Sequence, residues 1–216
     1  MTARVTLSFD NGPHPDVTPQ VLDLLAARGA RAHFFVLGKH LDDPARRRLV
    51  ERARDEGHLI GNHSFSHSAP LGRDARPDAV EREIAATEAL LTDLAPGPKR
   101  FRPAGGGGAL GRHLLSPRAV DYLVDHGYTC VLWNSVPRDW VDPDGWVPRA
   151  LAECAERPHT VVVLHDVPGA SLAGLPTFLD ALRDRGAELV TDLPADCTPI
   201  TDGRIVGDLG DLVAAG

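Results

Sequence analysis

The chain has 216 residues, of which 43% are hydrophobic and 25% charged, and its formal net charge is −7. These values are ordinary for a globular domain, so they exclude a disordered or fibrous chain. The negative charge argues against nucleic acid or an anionic membrane as a partner, because both require a basic surface. The three cysteines lie far apart and form no C-x-x-C pair, which predicts reduced, buried thiols.

The first half of the chain alternates short apolar runs with longer amphipathic runs. The apolar runs predict strands at residues 5–10, 32–37, 58–61 and 100–102. The amphipathic runs predict helices at residues 18–28, 44–56 and 77–94. Thr18 followed by Pro19 is typical of a helix start, and Gly29 and Gly57 mark helix ends.

The second half continues the same alternation. Helices are predicted at residues 117–126, 147–156 and 172–185, and strands at residues 129–133, 160–164 and 187–190. Strands rich in Val and Leu that alternate with helices predict a parallel sheet covered by helices. Seven such units in one chain favour a closed α/β barrel over an open sheet.

Polar residues cluster where the predicted strands end, which is where parallel α/β folds carry their chemistry. The groups are Asp10-Asn11, His63 with His67, Arg102, Asp139-Trp140, and His165-Asp166. Chance would place such residue types at one or two strand ends. Their presence at five strand ends indicates an active site.

The segment His63-Ser64-Phe65-Ser66-His67 contains two imidazoles four residues apart. On a helical turn they would share one face, as two ligands of one divalent metal require; the alternative is a pair of hydrogen-bonded loop histidines. Asp10 is suited to act as a general base, and Asn11 offers a neutral carbonyl oxygen. Asp-Asn-Gly-Pro is equally typical of a tight turn.

His165 follows the most apolar predicted strand and has the chemistry to protonate a leaving amine, although a hydrogen-bonded core histidine is the alternative. Arg102 precedes a run of four glycines at residues 105–108, whose N–H groups can converge on an oxyanion. Such a run is also common in plain flexible loops. Trp133, Trp140 and Trp146 predict either an aromatic wall for a sugar or packing in the core.

Together these residues resemble the polysaccharide deacetylase family, the NodB-homology domain of carbohydrate esterase family four. The family motifs T-F-D-D-G, H-[ST]-x-x-H, R-P-P-Y-G, D-x-x-D-W and L-x-H match, in order, residues 8–12, 63–67, 102–106, 136–140 and 163–165. The resemblance covers about residues 2–193. It implies a distorted TIM-like (β/α)7 barrel over residues 1–193, followed by a C-terminal tail at residues 194–216.

The activity that the resemblance implies is metal-dependent removal of an N-acetyl group from a sugar. Asp10 would be the base, His165 the acid, and Arg102 would orient the base. The implied ligands of a divalent metal ion, zinc, are His63, His67 and Asn11. The implied substrate-binding residues are Gly105, whose neighbouring backbone N–H would complete an oxyanion hole, Asp139 and Trp140.

Three positions depart from the family motifs. Asn11 replaces a metal-binding aspartate, so the neutral amide should lower metal affinity. Val136 stands where the fourth motif begins with Asp, so we expect the carboxylate that tunes His165 to be missing. Gly105 replaces a tyrosine and should widen the groove.

Three hypotheses for function follow. The favoured one is a metal-dependent hydrolase of an N-acetylated amino sugar, oligosaccharide or glycan. Asn11 and Val136 motivate a second, a hydrolase of the same fold that cleaves a cyclic or small-molecule amide with weak or no metal. The third is a non-catalytic carbohydrate-binding relative. Because no signal-peptide pattern precedes the first strand, we expect a cytoplasmic protein without nucleic-acid or membrane partners; secretion stays open if a signal was removed.

Overall fold

The computed structural model describes residues 2–215, so the predicted bounds at residues 1 and 216 lie outside it. Its strands are β1 (Arg4–Asp10), β2 (His33–Val36), β3 (Leu59–Asn62), β4 (Lys99–Phe101), β5 (Tyr128–Cys130), β6 (His159–His165), β7 (Glu188–Val190), β8 (Ile200–Thr201) and β9 (Arg204–Ile205). Its α-helices are α1 (Thr18–Ala26), α2 (Pro44–Asp55), α3 (Ala86–Leu91), α4 (Pro117–Asp125), α5 (Trp146–Ala155) and α6 (Leu175–Asp184). The predicted helix at residues 77–94 differs, because a π-helical turn at Glu81–Ala85 leads into α3.

The strands form one curled sheet in the order β6-β1-β2-β3-β4-β5-β8-β9, and β7 pairs with the first half of β1. β1 to β7 pair in parallel, whereas β8 and β9 pair in an antiparallel manner. A parallel bridge between Ser135 and Val162 joins the segment after β5 to β6. The sheet therefore curls round on itself, and the prediction of a distorted TIM-like (β/α)7 barrel is confirmed.

β1 is the strand around which the barrel is built. It pairs with β6 over seven residue pairs, from Arg4 opposite His159 to Asp10 opposite His165. Successive side chains alternate between the two faces of the sheet. Val5, Leu7 and Phe9 belong to the apolar layer shared with the helices. Thr6, Ser8 and Asp10 therefore face the barrel interior, where their polar atoms are hydrogen bonded.

Helices cover the outer face of the sheet, and their first residues show why they begin where they do. In α2 the Asp43 side chain accepts a hydrogen bond from the Ala45 N–H at 2.8 Å. In α4 the Ser116 side chain accepts one from the Ala119 N–H at 3.2 Å. Each cap satisfies a backbone donor that has no partner within its own helix. A proline follows each cap at the first helical position, where its fixed φ suits the helix.

Residues 194–215 continue the sheet beyond the region predicted as the barrel domain. β8 pairs with β5, with Ile200 opposite Cys130, and Val213 forms a bridge to Leu115. Ile200 is fully buried in the core cluster that surrounds β5. The segment predicted as a tail thus shares a hydrophobic core with the preceding residues.

The cysteines are as the sequence predicts. Cys130, Cys154 and Cys197 are buried, and within residues 2–215 none forms a disulfide. Burial raises the pKa of each thiol to about 11 or 12. None of the helices described is long and apolar enough to cross a membrane.

The C-terminal segment should contribute measurably to stability. We expect Ile200→Ala to lower the free energy of unfolding by about 2–5 kcal/mol, because it leaves a cavity in a closed core. Ile205→Ala is the matched control, since Ile205 is 56% exposed on β9, and its effect should stay within about 0.5 kcal/mol. Urea unfolding measures both. Equal small effects would show that residues 194–215 add nothing to the core.

Candidate active site

A cavity of about 320 Å³ opens at the carboxyl ends of the barrel strands. The polar residues that line it are Asp10, Asn11, His63, His67 and His165. Its apolar side chains are Trp133, Val136, Trp140, Val163 and Val167, and the glycines at residues 105–108 complete the wall. Most residues predicted for the site therefore meet around one space, except Arg102 and Asp139, which lie behind it.

Asp10, at the end of β1, is held by the fully buried Arg102. The Arg102 Nη1 donates to Asp10 Oδ1 at 2.9 Å and to Ser8 Oγ at 2.7 Å. The guanidinium also lies 4.1 Å from the centre of the Phe35 ring. Burial acts to raise the pKa of Asp10, but Arg102, through its charge and its hydrogen bond, together with His63 and His165 outweighs burial, and the net pKa is lowered. Asp10 is thus an ionised carboxylate at neutral pH, and its Oδ2 lies 3.6 Å from His63 Nε2.

His63 and His67 lie in the loop after β3, with their ring centres 4.9 Å apart. The segment is not the helical turn that the spacing suggested, because Ser64 and His67 have left-handed φ values of 70° and 56°. His63 Nδ1 is 2.9 Å from the carbonyl oxygen of Arg102. A carbonyl only accepts, so Nδ1 carries the proton and Nε2 keeps its lone pair. Burial lowers the pKa of both histidines, that of His63 to about 4.

Asn11 supplies a third possible donor beside these imidazoles. Its backbone is left-handed, with φ of 74°. Within residues 2–215, nothing hydrogen bonds to its buried Oδ1. An oxygen left without a partner in a polar cavity is suited to a cation or a water. Two neutral imidazoles and this amide oxygen therefore fit a divalent ion.

The three donors are all neutral groups. In the part of the chain described, no group of three or more His, Cys, Asp or Glu residues has the arrangement of a metal site. Asn11 contributes a neutral amide rather than a carboxylate to the donors beside the two imidazoles. Any site built on His63, His67 and Asn11 has no charge of its own.

His165, at the end of β6, has a carboxylate partner, so the expectation that Val136 leaves it without one is wrong. Asp139 Oδ1 lies 2.8 Å from His165 Nδ1, and Asp139 Oδ2 accepts from the His165 backbone N–H at 2.8 Å. Burial acts to lower the pKa of His165, but Asp139, together with the charges of Asp10 and Asp166, outweighs burial and the pKa is raised. Asp139 is fully buried, so its position suits orienting His165 rather than contacting substrate.

The glycine run forms one wall of the cavity by close packing. A Cβ at Gly105 would lie 2.8 Å from the Trp133 ring, and one at Gly108 would lie 2.7 Å from Val136. Trp133 Nε1 also donates to the Gly108 carbonyl at 2.8 Å. The groove is therefore not widened beside Gly105 as expected, because the indole occupies that space.

Trp140 and Trp146 lie in different environments. Trp140 is 37% exposed and meets the His165 ring edge-on, with ring centres 4.6 Å apart. It lines the cavity, as the motif predicts. Trp146 is fully buried against Phe178 in the core. Only Trp133 and Trp140 therefore contribute to the aromatic wall.

Asp166 lies behind the site, a position that could not be predicted from its place in the sequence. Thr18 Oγ1 donates to its Oδ2 at 2.5 Å, and its carboxylate packs against Gly12, beside Asn11. Burial raises the pKa of Asp166 to about 6. The sequence shows only that Asp166 directly follows His165. The fold places its carboxylate against the turn that carries Asn11.

The barrel and the polar cavity at its mouth agree with the family whose model matches this chain. The chain belongs to the polysaccharide deacetylase family, whose model, described as "Polysaccharide deacetylase", matches residues 2–131. The expected class, a hydrolase of carbon–nitrogen bonds other than peptide bonds, is thereby confirmed.

Individual relatives agree with this assignment. A chitooligosaccharide deacetylase of Rhizobium leguminosarum bv. trifolii is 33% identical over 204 residues, covering 86% of this chain and 88% of that protein. A crystal structure of the Bc1960 peptidoglycan N-acetylglucosamine deacetylase has a TM-score of 0.75 and 28% identity, covering 94% and 91% of the two chains. A family 4 acetyl xylan esterase from Clostridium thermocellum, in complex with a cobalt ion, has a TM-score of 0.70 and 30% identity over 87% of each chain.

The contact between Asp139 and His165 gives a prediction about protonation. We expect Asp139→Asn to lower the pKa of His165, because the charge that stabilises the imidazolium is removed. In the wild type the raised pKa stabilises the fold below the pKa of an unfolded histidine, and this contribution is lost as the pH rises through the folded value. The Asp139→Asn variant should therefore not lose this stability as the pH rises.

NMR titration of the imidazole nitrogens measures this pKa directly. Asp142→Asn is the control. Asp142 is an exposed carboxylate three residues after Asp139, and it pairs with Arg149 instead of His165. An unchanged His165 titration in Asp139→Asn would show that the contact does not set the protonation state.

Proposed function

We propose that the protein removes N-acetyl groups from an amino sugar within an oligosaccharide or glycan and that it requires a divalent metal ion. One observation carries the proposal: ionised Asp10 and Asp139-supported His165 face one cavity, which two neutral imidazoles and the Asn11 oxygen also line. The activities in the names of the relatives, deacetylation of chitooligosaccharides and of peptidoglycan N-acetylglucosamine, support the same substrate class.

The ion would be held by His63, His67 and Asn11. Imidazole is a preferred ligand of zinc, which makes zinc the metal of choice for the site. When bound, such an ion supplies a Lewis acid that lowers the pKa of water and polarises a carbonyl group. Because Asn11 is neutral, the affinity should be lower than that of a site with a carboxylate in its place.

Asp10 and His165 would move the protons. Arg102 occupies Oδ1 of Asp10 and keeps the carboxylate ionised, so Oδ2 can accept a proton from the water that attacks the acetyl carbonyl. His165 directs Nδ1 to Asp139, which leaves Nε2 to donate a proton to the amine as the carbon–nitrogen bond breaks. The products are acetate and the free amino sugar.

The remaining residues would orient the substrate. A backbone N–H near Gly105 can donate to the carbonyl oxygen as it gains negative charge. Trp140 offers a half-exposed ring beside His165, a surface on which a sugar can stack. Asp139 acts only through His165.

The activity is tested by measuring acetate release from N-acetylchitooligosaccharides by the protein loaded with zinc. We expect His165→Ala to lower kcat by about 10²- to 10⁴-fold with little change in KM, the usual effect of losing a general acid. His126→Ala is the matched control, because His126 is exposed at the end of α4, and its kcat should equal that of the wild type.

Two outcomes would contradict the proposal. A normal kcat for His165→Ala would remove the role of the acid. Turnover of cyclic or small-molecule amides without metal, in the absence of acetate release, would favour the second hypothesis instead.

The amide at position 11 gives a prediction about the metal. We expect Asn11→Asp to tighten zinc binding by roughly tenfold or more, equivalent to at least about 1.4 kcal/mol, because it adds a negative charge to a neutral donor set. Asn11→Ala, which removes the oxygen, should weaken binding. Competition with a chromophoric chelator measures both. Identical affinities in all three proteins would show that residue 11 is not a ligand.

A further inference from the structure

The loop that carries His63 and His67 is held by a buried carboxylate outside the cavity. Glu83 is only 2% exposed, and its Oε2 accepts from the Ser66 backbone N–H at 2.8 Å while its Oε1 accepts from Ser66 Oγ at 2.7 Å. Arg76 Nη2 lies 3.1 Å from the same Oε1. A buried carboxylate is costly unless it is hydrogen bonded, and here both oxygens have partners.

The neighbouring residue of the same helical turn holds the other end of the loop. Asn62 Nδ2 donates to the Ile84 carbonyl oxygen at 3.0 Å, and Asn62 Oδ1 accepts from the Ser64 N–H at 2.9 Å. Asn62 directly precedes one histidine of the loop, and Ser66 directly precedes the other. Two consecutive residues, Glu83 and Ile84, therefore fix the backbone immediately before each imidazole.

These two anchors lie in the π-helical turn Glu81–Ala85. The Ala86 N–H bonds to the Glu81 carbonyl, five residues back, which widens the helix at this point. Such turns are rare and often occur at functional sites. The widened turn brings the Glu83 side chain and the Ile84 carbonyl to the same loop.

The loop itself needs external support. Ser64 and His67 are not glycines, yet both have φ values in the left-handed region, 70° and 56°. Such residues are strained and persist only where the surrounding structure fixes them. The contacts from Glu83 and Ile84 add to that constraint, beside the hydrogen bonds that the Gly38 and Lys39 N–H groups donate to the Ser64 and Phe65 carbonyls.

We propose that Glu83 is a positioning residue that holds the His63–His67 loop in the conformation in which both imidazoles can bind one cation. The proposal rests on the proposed function for the identity of the site, but the contact itself is independent of substrate. Glu83 acts through Ser66 and does not line the cavity.

The test compares three variants of the full chain, Glu83→Ala, Glu83→Gln and Ser66→Ala. We expect Glu83→Ala to weaken zinc binding by about 10- to 100-fold, the range observed when a group that orients metal ligands is lost. Glu83→Gln keeps an acceptor and should recover part of the affinity. Ser66→Ala loses only the Oγ contact and should show an intermediate loss.

The matched control is Glu88→Gln on the same helix. Glu88 accepts from the Tyr128 hydroxyl and pairs with Lys99, and within residues 2–215 it makes no hydrogen bond to residues 63–67. This variant should lose stability, measured by urea unfolding, while its zinc affinity stays that of the wild type. If Glu83→Ala weakened zinc binding only through a general loss of stability, Glu88→Gln would weaken zinc binding as well.

A second measurement does not depend on metal. In the zinc-free protein, hydrogen exchange at the Ser66 amide should be slow in the wild type and at least about tenfold faster in Glu83→Ala, because its acceptor is lost.

If Glu83→Ala does not fold, Glu83→Gln and Ser66→Ala test the proposal by the same two measurements. Unchanged zinc affinity in these variants beside a zinc-binding wild type would overturn the positioning role and leave the proposed function standing. If the wild type binds no zinc, the metal-dependent function fails, and exchange alone decides whether Glu83 holds the loop.

Discussion

The pairing of β1 with β6 is the constraint on which the site depends. Seven consecutive residue pairs fix the register, and the last of them sets Asp10 opposite His165. Paired strands lie about 4.8 Å apart, so the backbones of these two residues are held side by side at the cavity. A shift of one residue would turn Asp10 toward the helices, because alternate side chains face opposite sides of a sheet.

Within that frame, the ionisable groups of the cavity are held by buried partners behind them. Arg102 holds Asp10, Asp139 holds His165, and Glu83 holds the loop of His63 and His67. None of these three partners lines the cavity. Placing the supporting charges on the far side fixes side-chain orientation and protonation before a substrate arrives, which is the arrangement that lowers the cost of reorganisation during a reaction.

The strand ends could be predicted from the sequence because short apolar runs stop where polar residues begin, and parallel strands end at one edge. That reasoning brought Asp10, His63 and His165 to one cavity. It did not find the contact of Asp139 with His165, which depends on the path of an irregular segment far away in sequence. β8 and β9 have two residues each, too few to show any period. The π-helical turn has no sequence signature, so nothing singles out Glu83 within the helix predicted at residues 77–94.

The glycine wall has a consequence for how substrate preference can change. Gly106, Gly107 and Gly108 all have left-handed φ values, and Gly105 and Gly108 touch Trp133 and Val136 with no room for a Cβ. Side chains added to this stretch would have to displace the backbone or the indole. The size of the ligand that fits this wall is therefore changed more readily by substitutions at Trp133 and Val136 than by substitutions at the glycines. A combinatorial library aimed at new specificity should vary positions 133 and 136 and leave the four glycines untouched.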